Sequence, residues 1–127
     1  MKKHFVLIAV GLMILAAMPS CFHFSDHDVS VTVSDDEDEY EMDADYSRRK
    51  AHAVRVYLND HLLDGKIKIR HNDHVDKEIT LDDNTTFYIN AEPGSVNIKI
   101  DKTRNSEEQC ERVRLACEDL KEILADN

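Results

Sequence analysis

The chain has 127 residues, with 26 acidic and 16 basic side chains and a formal net charge of -10 at pH 7. That length is enough for one small domain. The acidic excess argues against binding to nucleic acid, because affinity there comes mainly from Lys and Arg that neutralise phosphates, and against adsorption to anionic headgroups. We therefore predict no nucleic-acid partner.

The first 20 residues have the features of a secretory signal peptide. Lys2 and Lys3 give a positively charged start, and residues 5–18 form an almost unbroken apolar run. That run is shorter than the roughly 20 residues that a membrane-spanning helix needs. We therefore predict an exported protein, whose mature chain carries a net charge of about -12 once the two lysines are removed.

The end of this segment decides the type of signal. Residues 15–21, Leu-Ala-Ala-Met-Pro-Ser-Cys, resemble the lipobox of bacterial lipoproteins. The resemblance implies that Cys21 becomes the mature N-terminus and carries lipid, which would anchor the protein to a membrane of the cell envelope. Ser20 fits the small residue expected before the cysteine, but the Met-Pro pair at 18–19 departs from the usual pattern. Cleavage after Ala17, giving a soluble secreted protein, and an uncleaved anchor therefore stay open.

Residues 21–50 are predicted to be an acidic, flexible tether. Eight of the eleven residues from Asp35 to Asp45 are acidic, and such a composition does not offset the entropy of ordering. The alternating valines at 29, 31 and 33 would form at most a short edge strand. The Arg-Arg-Lys sequence at 48–50 then marks the boundary of a folded domain at 51–127, which the tether holds off the membrane.

The predicted domain contains five short strands. Apolar and polar residues alternate with a period of two, which is typical of half-buried strands. The strands are expected at 54–58, 66–70, 79–81, 87–91 and 96–100. Turn pairs such as Asp-Gly and Pro-Gly fall between them. No segment between these strands is long enough for a crossover helix, so an antiparallel meander is expected.

A helix of about 18 residues is predicted from Ser106 to the C-terminus. Ser106 and Gln109 form a capping box pattern, and apolar residues recur at alternating spacings of three and four. They are Cys110, Val113, Cys117, Leu120 and Leu124. The predicted fold class is α+β, a small antiparallel meander of about five strands covered by one C-terminal amphipathic helix.

A second resemblance concerns this domain. Residues 54–59, Val-Arg-Val-Tyr-Leu-Asn, and the segment 87–100 through Glu-Pro-Gly resemble small envelope or carbohydrate-associated β-sandwich modules of the PEGA type. The glycine-rich turn that such modules have in their first half is missing here. The resemblance implies a β-rich module and assigns no functional residue.

Two cysteines lie on the predicted helix. Cys110 and Cys117 are seven residues apart, or about 10.5 Å along a helix axis. Because a disulfide needs Cα atoms within about 7 Å, the two cannot pair within one helix. We predict buried, inert thiols, with an intermolecular bridge or a reactive thiol as the alternatives.

Two clusters of histidine and aspartate are the candidate metal ligands. His23 and His27 lie in the sequence His-Phe-Ser-Asp-His-Asp near the anchor, and a second cluster lies between predicted strands. Its members are His71, Asp73, His74 and Asp76. Imidazole and carboxylate bind zinc, but neither spacing is a helical pair or a cysteine-containing knuckle. We therefore predict polar turns facing solvent and no metal or other cofactor, with zinc binding as the alternative.

The sequence contains no catalytic motif. The mature chain has only two glycines, Gly65 and Gly94, so that it lacks a glycine-rich phosphate loop. No serine lies in a nucleophile-elbow pattern. We predict a non-enzymatic cell-envelope lipoprotein that acts as a small interaction or structural module. A metal-binding exported protein and a secreted enzyme without a recognisable motif are the alternatives, and the partner and oligomeric state are left undetermined.

Overall fold

The structure is a computed structural model that describes the backbone of residues 20–26 and 29–126 and the side chains of residues 29–126. It contains a six-stranded antiparallel sheet with two helical segments. The strands are β1 (Ser20–Asp26), β2 (Val29–Asp35), β3 (Glu39–Tyr46), β4 (Val75–Thr80), β5 (Thr86–Glu92) and β6 (Ser95–Asp101). Their order in the sheet is β1-β2-β3-β6-β5-β4, so β3 and β6 are the central pair.

The segment predicted to be a tether forms three strands instead. In β3, Tyr40, Met42, Ala44 and Tyr46 are buried, whereas the acidic residues between them point to the other face. Apolar and acidic residues therefore alternate with a strict period of two along β3. Burial of the apolar face stabilises the folded strand, although the segment as a whole is highly charged. The prediction of a flexible segment over 21–50 and of a fold that begins at residue 51 was wrong for residues 29–50.

The first predicted strand, 54–58, is a helix. A short 3-10 turn at Arg48–Lys50 leads into α1 (Ala51–Tyr57), which continues as a π-helical turn at Leu58–Leu62. Val54, Leu58 and Leu62 are buried at helical spacing, while Val56 is 41% exposed. The helical spacing of four thus describes the buried side chains better than the alternation did, and residues 54–59, the first of the two segments that resemble PEGA-type modules, are not a strand.

The second predicted strand, 66–70, is an irregular segment. Ile69 in this segment is buried, and its backbone forms two hydrogen bonds with the side chain of Asn59. Asn59 Oδ1 accepts from Ile69 N at 2.8 Å, and Asn59 Nδ2 donates to Ile69 O at 2.9 Å. One amide side chain therefore replaces the neighbouring strand that the prediction had assumed.

The other three strands and the C-terminal helix agree with the prediction. β5 and β6 are joined by a turn in which Gly94 has a φ of +99°, the conformation required at the third position of a type II turn. The helix α2 spans Glu107–Ala125, and Ser106 and Gln109 form the capping box. Its buried stripe comprises Val113, Ala116, Cys117, Leu120 and Leu124.

The α+β fold class with a C-terminal covering helix is confirmed. The described residues form two β-β-β-helix units whose third strands, β3 and β6, pair at the centre of the sheet. The helix α2 contacts β2, β3, β6 and α1, so both helical segments form a layer on one side of the sheet. Among the described residues, no helix is long and apolar enough to span a membrane.

Candidate functional site: the open face of the sheet

The two faces of the sheet have opposite character. Residues directly opposite each other in antiparallel strands point to the same face. Met42 lies opposite both Val33 and Ile98, and all three are buried beneath the helical layer. The neighbouring positions Glu41, Asp43 and Asn97 point away from the helices. This second surface, formed by the outward residues of β2 to β6, is called the open face below.

The open face carries most of the excess negative charge. Its acidic residues are Glu39, Glu41, Asp43, Asp45, Asp76, Glu78, Glu92 and Asp101, and its one basic residue on a strand is Lys99. These eight acids and one base give a net charge of -7. The other residues between 29 and 126 contain 16 acids and 13 bases, a net charge of only -3. Part of the negative charge that was predicted to lie in a flexible tether therefore lies on one face of the sheet.

The middle of this surface is a row formed by three of the four outward carboxylates of β3. Glu41, Asp43 and Asp45 lie two residues apart, which places successive Cα atoms roughly 6.6 Å apart along the strand. Glu41 accepts from the Asn97 amide at 2.8 Å and lies 3.8 Å from Lys99 Nζ. Asp43 and Asp45 are exposed. Their cross-strand neighbours are polar and uncharged: Ser30, Thr32, Ser95 and Asn97.

The side of the open face near β4 is organised by hydrogen bonds. The Tyr88 hydroxyl donates to Asp76, and His74 Nε2 lies 2.8 Å from Asn90 Oδ1. Arg104 forms a two-pronged ion pair with Glu78 at 3.0 and 3.2 Å. These hydrogen bonds from Arg104 lower the pKa of the Glu78 carboxyl, and the bond to Asp76 raises the pKa of Tyr88. Arg104 thus compensates the charge of Glu78, as Lys99 does that of Glu41, whereas no ion pair among the described side chains involves Asp43 or Asp45.

The structure does not bring the second predicted histidine cluster together. His71 Nδ1 lies 3.4 Å from Arg55 on α1, and Asp73 accepts from the Arg70 amide at 2.8 Å. His74 and Asp76 instead contact residues of β5. Among residues with described side chains, no three His, Cys, Asp or Glu residues are placed to hold a metal ion.

The first cluster and the proposed lipidation site lie at the start of the chain. Cys21 and His23 belong to β1, where their backbones pair with Ser34 and Thr32. Their side chains, His27 and the predicted signal peptide up to residue 19 lie outside the described residues. A lipid on Cys21 would accordingly be attached at the first strand, without an intervening spacer.

The two helix cysteines have different surroundings. Cys117 is fully buried, and this burial raises the pKa of its thiol to about 12. The Tyr40 hydroxyl is buried without a hydrogen-bond partner among the described residues, and burial raises its pKa as well. Cys110 is partly exposed, and desolvation also raises the pKa of its thiol. Raised pKa values are the opposite of what an activated cysteine nucleophile requires.

Comparison of the chain with family models, with curated proteins and with solved structures finds no match. Chemically, the open face offers carboxylate and amide oxygens on a rigid surface, and such groups accept hydrogen bonds and attract cations. The sequence contained the signal for it, since apolar residues alternate with acids from 39 to 46. The tether was predicted because the high acidic content of this segment was given more weight than the alternation.

Proposed function

We propose that the protein is a non-enzymatic, exported binding module, anchored to the cell envelope through Cys21, whose open face contacts an envelope partner. The observation that carries the proposal is that helices cover one face of the sheet, while none of the described elements covers the other face, which holds eight acids. Five strands spaced about 4.8 Å apart and about seven residues long give a surface of roughly 20 by 20 Å. That area suits a small, transient contact.

The distribution of charge supports a role in binding over a purely structural one. Neighbouring carboxylates on one strand repel each other, so the row at Glu41, Asp43 and Asp45 costs free energy in the isolated domain. The folded state presents this row on one of its two central strands, which pairs with β2 on one side and β6 on the other. The repulsion within this surface is unfavourable in the isolated domain, and a bound partner of opposite charge would relieve it. The strand also holds the carboxylates in fixed positions, as a binding site requires.

Site-specific photo-crosslinking in intact cells tests this function. A photoreactive residue replaces Asn97 at the centre of the open face in one variant and exposed Leu115 on the helical layer in another. A discrete crosslinked species is expected from position 97 and none from position 115. Adducts from position 115 alone, or from neither position, would contradict the proposal.

A further inference from the structure

We infer that the partner segment on the open face is a cationic, extended polypeptide aligned with the carboxylate row of β3. This inference rests on the proposed function and names the chemistry of the partner. The row supplies three negative groups along a line, at Glu41, Asp43 and Asp45. An extended chain with a basic residue at every second position repeats at the same roughly 6.6 Å and presents its charges on one side.

Charge repulsion disfavours a second copy of this chain, docked face to face, as the occupant. Two open faces brought together would each contribute a net charge of -7, and like charges across an interface oppose association. The 13 bases outside the open face are mixed with 16 acids, and several are engaged in ion pairs. Arg112 pairs with Asp64 and Asp83, and Lys102 pairs with Asp35. We therefore assign the cationic groups to another protein.

Asp43 and Asp45 should contribute most of the binding free energy. Glu41 already has Lys99 and Asn97 as neighbours, whereas the residues directly opposite Asp43 and Asp45 on β2 and β6 have hydroxyl or amide side chains. A lysine or arginine from a partner would supply a counter-charge there and relieve the repulsion along the strand. The neighbouring serines and threonine leave space for a backbone to approach.

The test measures binding of a fluorescent seven-residue peptide, in which lysine alternates with threonine, to the full mature chain in detergent. Asp43→Asn/Asp45→Asn removes two negative charges from the row, and Asp60→Asn/Glu122→Gln removes two from exposed positions in the helical layer. We expect the first pair to weaken binding about tenfold, the effect of losing two exposed ion pairs, and the second pair to change it less than about twofold. Raising the salt concentration should weaken binding to the wild type.

Three results of the peptide measurements would overturn the inference. They are no binding of the peptide to the wild type, equal weakening by the two double substitutions, and equal binding of a peptide in which glutamate replaces lysine. The inference would also be overturned if calcium ions, added as calcium chloride, bound saturably, required Asp43 and Asp45 and blocked the peptide. The row would then be a cation site. If the peptide fails while the crosslink from position 97 persists, the partner is not cationic but the proposed function stands. If that crosslink is absent, the proposed function itself fails.

Discussion

Lys50 caps the C-terminal helix from the other half of the chain. Its Nζ donates to the carbonyl oxygens of Ile123 at 3.1 Å and Leu124 at 2.9 Å. The last turn of α2 contains no basic residue of its own, so Lys50 supplies the positive charge that the carbonyl end of a helix favours. The residue that seemed to end a tether thus joins the first β-β-β-helix unit to the second.

Replacing Lys50 by Met should lower the free energy of unfolding by about 1 kcal/mol. Methionine keeps much of the apolar stem but removes two charge-assisted hydrogen bonds to the helix end. Urea unfolding measures the change, with Lys68→Met as the control because Lys68 is exposed. Equal effects of the two substitutions would show that the cap contributes nothing specific.

Met42→Ala tests whether the acidic segment belongs to the core. Met42 is fully buried at the centre of β3, so truncation should cost about 2–5 kcal/mol in unfolding free energy. The adjacent Asp43→Ala should change stability by about 0.5 kcal/mol or less, because Asp43 is exposed on the other face. A Met42→Ala variant as stable as the wild type would restore the tether prediction.

Stability should fall at alkaline pH because of Cys117. Its pKa is raised from an ordinary value of 9.0 to about 12 by burial, so the folded state favours the protonated thiol. That contribution is complete below pH 9 and is lost as the pH rises toward 12, by about 1.4 kcal/mol for each pH unit. Thermal unfolding from pH 8 to 11 should show a smaller decline in Cys117→Ala than in the wild type. Identical slopes would contradict a buried thiol.

Cys21→Ser tests the anchor. If Cys21 carries lipid, the substitution should move the protein from the membrane fraction to a soluble one, and labelled fatty acid should appear on the wild type alone. Serine keeps the size of the side chain but cannot form the thioether. Wild-type protein that is soluble and unlabelled would favour cleavage after Ala17 and secretion.

The sequence predicted the second half of the fold better than the first. In α2, the capping box, the acidic first turn and the buried stripe all indicate a helix, and the structure contains it at Glu107–Ala125. In α1, the apolar residues between 54 and 58 fit both a strand and a helix, because Val54, Val56 and Leu58 alternate while Val54 and Leu58 are also four residues apart. The ambiguity is resolved only by tertiary packing, which buries Val54 and Leu58 and leaves Val56 exposed.

The open face was missed for a related physical reason. Composition measures the average polarity of a segment, whereas a strand in a one-sided sheet needs only every second residue to be apolar. From Glu39 to Tyr46 that requirement is met in full. The second histidine cluster is not assembled, because nearness in sequence does not bring those side chains together: His71 contacts Arg55 of α1 and His74 contacts Asn90 of β5.

Carboxylate labelling in cells and in purified protein tests the role of the open face most directly. A water-soluble carbodiimide and an amine modify exposed carboxylates, and mass spectrometry measures the extent at Asp43 and Asp45 and at the helical-layer residues Asp60 and Glu122. All four should be modified in the purified mature protein, since all four are exposed. In intact cells, Asp43 and Asp45 should be protected while Asp60 and Glu122 still react. Equal modification of all four in cells would contradict the claim that the open face is where the partner binds.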